Sequence, residues 1–354
     1  MSVTERGWPT IAGMASVVPP FVMAREDVKE AVARIFDLRP RRLAALLAMF
    51  DHARVDQRYS VFPLDHLVRR RSLTEKMQEY RNQVVPLASQ AARACLDSAG
   101  LQPADVDLLI SVSCTGFMIP SFDAYLVPEL GFRTNVRRLP VTELGCVGGA
   151  VALSRATEFV RAFPEANALV VAVELSSLTF QPDDLSDANL VSCAFFGDGA
   201  AAALVTGRSL PGPRVLDTES ALIPDSLDAM GFDLTETGFH MVLSKDIPDI
   251  LRRDIRRLVD GFLARNDLKL DQIAACILHP GGKKILEYVE AALNLPRAMT
   301  QPSWGVLRDY GNLSSAAILF VLDQWRRKPA VGDYGLVIGF GPGVSAELLL
   351  LQWA

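Results

Sequence analysis

The chain repeats itself. "DVDLLISVSC" at 105–114 ends in Cys114, and 165 residues later the similar run "AACILHP" at 274–280 carries His279. "GCVGGAVALSRATEFVRAF", with Cys146, is followed after 166 residues by "GNLSSAAILFVLDQWRRKP", with Asn312. "NALVVAVEL" around Val170 is followed after 167 by "YGLVIGFGPG" around Val337. A nearly constant offset across separate elements marks a duplicated unit, and its period is far too long for a solenoid. The short apolar runs, bounded by polar turns, read as buried strands. Their alternation with helical runs predicts α/β layers around partly parallel sheets. We expect two halves, 1–208 and 209–354.

Residues 26–100 read mainly as helix. "EDVKEAVARIFDL", "RRLAALLAMFDHA" and "SLTEKMQEYRNQVVPLASQAARACLDSAG" carry apolar residues at helical spacing, and Gly100 stops the last of them. "FGDGAAAALVTG" at 196–207 reads as a further strand of the first half, and "VSAELLLLQW" as the last strand of the second.

Composition narrows the function. With 354 residues and 50% of them hydrophobic, the chain can fill a large core. A net charge of −5 and the absence of long like-charge runs give no general attraction to nucleic acid, and Arg69-Arg70-Arg71 is too short to change that. The five cysteines form no CxxC pair and no zinc-spaced cluster, which fits reduced thiols in the cytoplasm and no metal site. The N-terminal "MSVTERGWPTIAGMASVVPP" reads as neither signal nor anchor, and no apolar run approaches the ~20 residues of a membrane span.

In layered α/β folds, ligands collect at strand ends and helix starts. Cys146 and Asn312 occupy equivalent helix starts and His279 ends a strand, so facing halves would bring the three together. The alternative is that duplication merely repeats core elements. Unpaired N–H groups at a helix start, with a nearby imidazolium, would stabilise a Cys146 thiolate as a nucleophile. Gly145, Gly148 and Gly149 leave room there for a bulky acyl group. The usual fate of a free cysteine is burial as a small hydrophobe, and we read Cys95, Cys193 and Cys276 that way. Among the histidines, His52 and His66 lie in the helical region and His240 has no evident partner. His279, in "ILHPGGKKIL", is either a strand-end functional group or a satisfied core histidine. "GFGPG", with Gly341 and Pro342, lacks the dinucleotide fingerprint and reads as a rigid turn allowing close backbone approach to a ligand.

Together "LGCVGG", "FFGDGAAAAL", "LHPGG", "YGNLSSA" and "GFGPG", in this order and spacing, resemble the type III polyketide synthases, the chalcone-synthase-like branch of the thiolase superfamily. The resemblance covers essentially the whole chain. It implies a thiolase-like, five-layered αβαβα fold with internal duplication, a homodimer, and a Cys146–His279–Asn312 triad. Acyl-CoA and malonyl-CoA would be substrates, with no metal or other cofactor. Cys146 would carry the acyl chain, with its thiolate stabilised by His279. His279 and Asn312 would stabilise the enolate left when malonyl loses carbon dioxide. Phe196 would shape the junction between the CoA tunnel and the cavity.

The details are most similar to bacterial alkylpyrone and alkylresorcinol synthases. Cys114 stands where plant enzymes usually carry threonine, Phe232 where chalcone synthases have glycine, and Met241 where they have phenylalanine. Thr179 and Ser314 match the other cavity positions. Two departures stand out. Ala45, Ala48 and His52 replace the basic residues that grip the CoA phosphates, so Arg41, Arg54 or Arg69–Arg71 would have to substitute, or an acyl carrier protein would deliver the donor. Ile119 replaces the methionine that crosses the dimer interface. The leading expectation is a fatty-acyl-primed alkylpyrone or alkylresorcinol synthase. The alternatives are a malonyl-primed tetrahydroxynaphthalene synthase, a ketoacyl-ACP-synthase-like enzyme, or a binding subunit without catalysis.

Overall fold

The computed structural model describes residues 8–326 and 328–354, so the first seven residues of the N-terminal stretch lie outside the described residues. The chain begins with β1 (Thr10–Val17), β2 (Phe21–Ala24), α1 (Arg25–Ile35), α2 (Pro40–His52), β3 (Gln57–Ser60), α3 (Leu64–Leu67) and the long α4 (Leu73–Ala99). Next come β4 (Leu108–Val112), α5 (Phe122–Leu130), β5 (Arg137–Val141), α6 (Gly148–Ala162), β6 (Asn167–Leu175), α7 (Asp187–Ser192) and β7 (Asp198–Thr206). Beyond the chain midpoint are β8 (Pro213–Leu222), β9 (Met230–Thr235), β10 (Gly238–Leu243), α8 (Ile247–Arg265), β11 (Ile273–Leu278) and α9 (Lys283–Leu293). Last are α10 (Arg297–Tyr310), α11 (Ala317–Trp325), β12 (Tyr334–Gly341) and β13 (Ser345–Trp353).

The repeat is visible in the strand order β11-β12-β13-β8-β1-β7-β6-β4-β5. Outward from the β1/β8 seam, β7, β6 and β4 on one side mirror β13, β12 and β11 on the other. On both sides the outer pair, β4 with β6 and β11 with β12, is parallel and the inner pairs are antiparallel. Across the seam itself Thr10 pairs with Arg214. β5 extends the first side alone, parallel to β4.

Five layers result. α6 and α11 lie back to back between the half-sheets, where Leu153, Ala156, Ile318 and Phe320 join Val170, Ala203, Val337 and Leu349 in one core. α4 covers the outer face of the first half-sheet, packing Tyr80, Val84 and Ala88 with Leu169, Val171 and Ala202. α8 and α9 cover the second, placing Ile255, Phe262, Leu286 and Val289 with Cys276, Leu336 and Leu348. Each large apolar side chain, fully buried, contributes about 1.5–3 kcal/mol. α4 starts at a reciprocal capping box between Ser72 and Glu75.

The mainly helical expectation for 26–100 needs correction at β3, which interrupts the helices. β1, β5, β8 and the β9–β10 hairpin carry no continuous apolar run and escaped the periodicity reading; β5 is exposed along most of its length. Among the described residues no helix is long and apolar enough to cross a membrane.

Candidate active site

Cys146 sits in a single tight turn, Gly145–Val147, that leads into α6. Gly145 has φ 53°, and a Cβ there would lie 2.6 Å from Pro342 Cγ, so this turn tolerates only glycine against the "GFGPG" loop. Farther along, a Cβ on Gly149 would lie 2.1 Å from the Ser315 carbonyl oxygen. The two helix starts therefore touch backbone to backbone, which places the Asn312–Ser315 turn beside Cys146.

Side chains connect the pieces. The Cys146 and Cys114 sulfurs lie 3.3 Å and 3.2 Å from the same Ser314 hydroxyl. Asn312 Oδ1 accepts from the Ser314 amide at 2.8 Å, and Asn312 Nδ2 donates to the Gly281 carbonyl at 3.2 Å. The His279 ring flanks Gly281: a Cβ there would lie 3.4 Å from Nε2. His279 is 2% exposed, and its Nδ1 is buried without a partner. The backbone of Asn312 is clasped by the loop before β7, with its N–H on Phe195 O at 2.6 Å and its carbonyl accepting from Gly197 N at 3.1 Å.

Charge is scarce here. Burial pushes the Cys146 thiol up to about 11, against the opposing Ser314 hydrogen bond, and Glu174 adds to the rise. Burial lowers His279 to about 4. Burial therefore works against charge on both groups. The thiolate expected at this helix start would form against that burial. Glu174, inside β6, accepts from Cys114 N at 3.1 Å, from Thr115 Oγ1 at 2.8 Å and from Ser315 Oγ. Burial raises its pKa, and burial together with Glu174 holds the Cys114 thiol well above its usual range.

Next to this cluster is an apolar cavity of about 90 Å³, lined by Thr179, Phe196, Phe232 and Met241 and continuing to Val32 of α1 and Leu67 of α3. A cysteine sulfur, an imidazole, a carboxamide and a largely apolar cavity together suit acyl transfer.

Known proteins decide the family. Residues 1–209 match the N-terminal domain of chalcone and stilbene synthases, and residues 215–353 match their C-terminal domain. The chain belongs to the type III polyketide synthases. It is 38% identical over 360 residues to the 1,3,6,8-tetrahydroxynaphthalene synthase of Streptomyces peucetius subsp. caesius, covering 99% of this chain and 95% of that one. Identity to the alpha-pyrone synthesis polyketide synthase-like Pks18 of Mycobacterium tuberculosis is 32% over 359 residues, covering 97% of this chain and 90% of that one. The crystal structure of the tetrahydroxynaphthalene synthase of Streptomyces coelicolor A3(2) superposes with a TM-score of 0.93 at 33% identity, covering 97% of this chain and 99% of that one. The fold is thiolase-like, and the chain is an acyltransferase that performs decarboxylative condensation. Type III polyketide synthases use CoA thioesters and need no further cofactor.

In this synthase the sequence-assigned residues fall into two groups. Cys146, Cys114, Ser314 and Asn312 are linked by hydrogen bonds, His279 packs on Gly281 beside Asn312, and Gly341 and Pro342 pack on the Gly145–Val147 turn. Thr179, Phe196, Phe232 and Met241 line the cavity. Two residues escaped the sequence reading. Glu174 had a signal, being an ionisable residue inside a nine-residue buried strand. Arg58 had none: it is 2% exposed and donates to the carbonyls of Cys193, Ala194 and Phe196 at 2.6, 3.2 and 3.3 Å, pinning the loop that clasps Asn312. His240, without a partner in sequence, meets Asp184 at 3.2 Å.

Proposed function

We propose that this synthase loads a medium- or long-chain fatty acyl group from coenzyme A onto Cys146, extends it with malonyl-CoA, and releases an alkylpyrone or alkylresorcinol. What supports this reading is the cavity: Val28, Ala31, Val32, Ile35, Leu64 and Leu67 give it an aliphatic side, although Arg58, Ser176, Ser177, Asn189 and Ser192 also line it. The nucleophile comes from the N-terminal half, 1–208, and the hydrogen-bonding pair from the C-terminal half, 209–354.

Cys146 gives its proton to His279 and attacks the starter thioester as a thiolate; the CoA thiolate leaves and takes a proton from solvent, so His279 keeps its N–H as a donor and stabilises the thiolate. The malonyl thioester carbonyl then lies against His279 and Asn312. Loss of carbon dioxide leaves the C–C bonding pair as an enolate, which those donors stabilise. The enolate carbon attacks the Cys146 thioester, the Cys146 thiolate leaves, and the chain, longer by two carbons, rests on CoA before reloading. Phe196 shapes the passage into the cavity. Exposed Phe117 and Ile119, on the loop after β4, support a homodimer, and the enzyme works in the cytoplasm with acyl-CoA or an acyl carrier protein as donor.

The second reading is a malonyl-primed tetrahydroxynaphthalene synthase, favoured by the two such relatives above. Malonyl-CoA alone and malonyl-CoA with acyl-CoAs of increasing length, analysed by mass spectrometry, separate the two. Products carrying the alkyl chain are expected; a product from malonyl-CoA alone, with no alkyl incorporation, overturns the first reading.

A further inference from the structure

Two segments meet over the cavity. One runs from Thr179 to Asp184. The other is the β9–β10 hairpin, whose strands pair with each other and, among the described residues, with no other strand. Strand alternation puts Phe239 and Met241 on the cavity side of β10 and His240 on the opposite side. Phe232 stands opposite Met241 across the hairpin and meets the Phe239 ring edge to face, with centroids 6.2 Å apart. The hairpin thus supplies three apolar side chains to the cavity wall.

The 179–184 segment is firmly held. Lys76 of α4, 1% exposed, donates to Phe180 O at 2.9 Å and Gln181 Oε1 at 3.1 Å. Asn189 Nδ2 donates to the carbonyls of Gln181 and Asp184 at 2.8 and 2.7 Å, and Asp184 Oδ1 accepts from Ser186 N at 2.8 Å. The hairpin hangs on this anchor by two side-chain bonds. Gln181 Nε2 donates to Phe239 O at 3.3 Å, and His240 Nδ1 lies 3.2 Å from Asp184 Oδ2. Thr237 Oγ1, 2.7 Å from Nε2, orients the same ring. A cavity of about 90 Å³ holds only several water-sized groups, so a long acyl chain enters by displacing a wall, and the hairpin is a wall that belongs to no larger sheet among the described residues.

We propose that His240, through Asp184, and Gln181, through the Phe239 carbonyl, are positioning residues that limit starter chain length by holding the Phe232, Phe239 and Met241 wall against the cavity. This rests on the acyl-starter reading. The latch residues touch no substrate; they act through the wall they hold.

Asp184→Asn and His240→Gln break the pair with little change in size. In each variant the ratio of kcat/KM for long over short acyl-CoA starters should rise about five- to tenfold, mainly through KM. The malonyl-CoA decarboxylation rate should stay within about twofold. The double variant should show no further rise, because the residues act as a unit, and Asp184→Glu should restore the original ratio. Hydrogen exchange at the β9–β10 amides should quicken in the single variants. An unchanged ratio overturns the proposal even where exchange quickens, and additive single effects overturn the pairing. If the wild type accepts no fatty starter, the acyl reading fails by itself. The latch is then tested by hairpin exchange and by the number of malonyl units condensed; no change in either variant overturns it.

Discussion

The two halves of the molecule share four strands in the same order, β5 apart, and differ most in the segments inserted after their first strands. β1 leads into a long insert, residues 18–72, that carries α1 to α3; β8 leads into a short one, 223–246, that carries the β9–β10 hairpin. Both inserts reach the same cavity, the first through Val32 and Leu67 and the second through Phe232 and Met241. The repeated frame behaves differently. It places residues at matching points, Cys146 with Asn312 and Cys114 with His279, and diverges only in their chemistry. The inserts thus supply much of the cavity wall, while the frame supplies Cys146, His279 and Asn312 together with Thr179 and Phe196.

The sharpest tests exchange that chemistry. Cys146→Ala should lower condensation by at least about a thousandfold, measured as product formed per enzyme; residual condensation near the wild-type rate would remove the nucleophile from this helix start. Asn312→Ala should slow malonyl-CoA decarboxylation by about a hundred- to a thousandfold while radiolabelled starter still acylates Cys146. An unaltered decarboxylation rate would reject its role.

His279 predicts a pH signature that its counterpart Cys114 does not. Its folded pKa, lowered to about 4, lies below its ordinary value of 6.5. The unfolded chain therefore binds the proton first, and stability falls as pH drops from about 6.5 toward 4, by up to about 3 kcal/mol. Urea titrations at several pH values should show this slope in the wild type and its absence in His279→Gln.

The contact between the frames comes next. Gly149→Ala drives a methyl group into the Ser315 carbonyl and should cost about 2–3 kcal/mol, seen as a lower Tm. An unshifted Tm would mean that the helix starts can part freely. The smallest effect belongs to the inserts: Phe232→Gly should shift preference among acyl-CoA starters by roughly tenfold, read from competing starters in one reaction.

Much of the frame is legible from residues alone. β4, β6, β7, β11 and β12 are buried on both sides and therefore written as continuous apolar runs, which is why the repeat stands out. β1 and β8 are not, because they pair at the seam and mix polar with apolar positions; β8 runs from buried Val215 through a half-buried middle to exposed Leu222. In the site, Cys146, His279 and Asn312 show through glycine-rich turns and the repeat. Their setting does not. Ser314 joins two cysteines from 168 and 200 residues away, and Glu174 reaches Ser315 from 141 away, spacings that no local pattern encodes. The burial that opposes the expected thiolate is hidden for a related reason: a helix start is visible in sequence, whereas the desolvation around it depends on packing. Thr179, Phe196, Phe232 and Met241 came from family resemblance, and the hairpin's tether through His240 came from neither source.

The missing side chain at Gly149 has a broader consequence. With no room for even one methyl group, the distance between the two helix starts is fixed like the gap of a gauge, and no adjustment for a new substrate can be made there. Variation must therefore fall on the inserts, which leave that gap untouched. In a molecule of this build, a substitution in an insert can reshape the cavity wall without touching the contact between the helix starts.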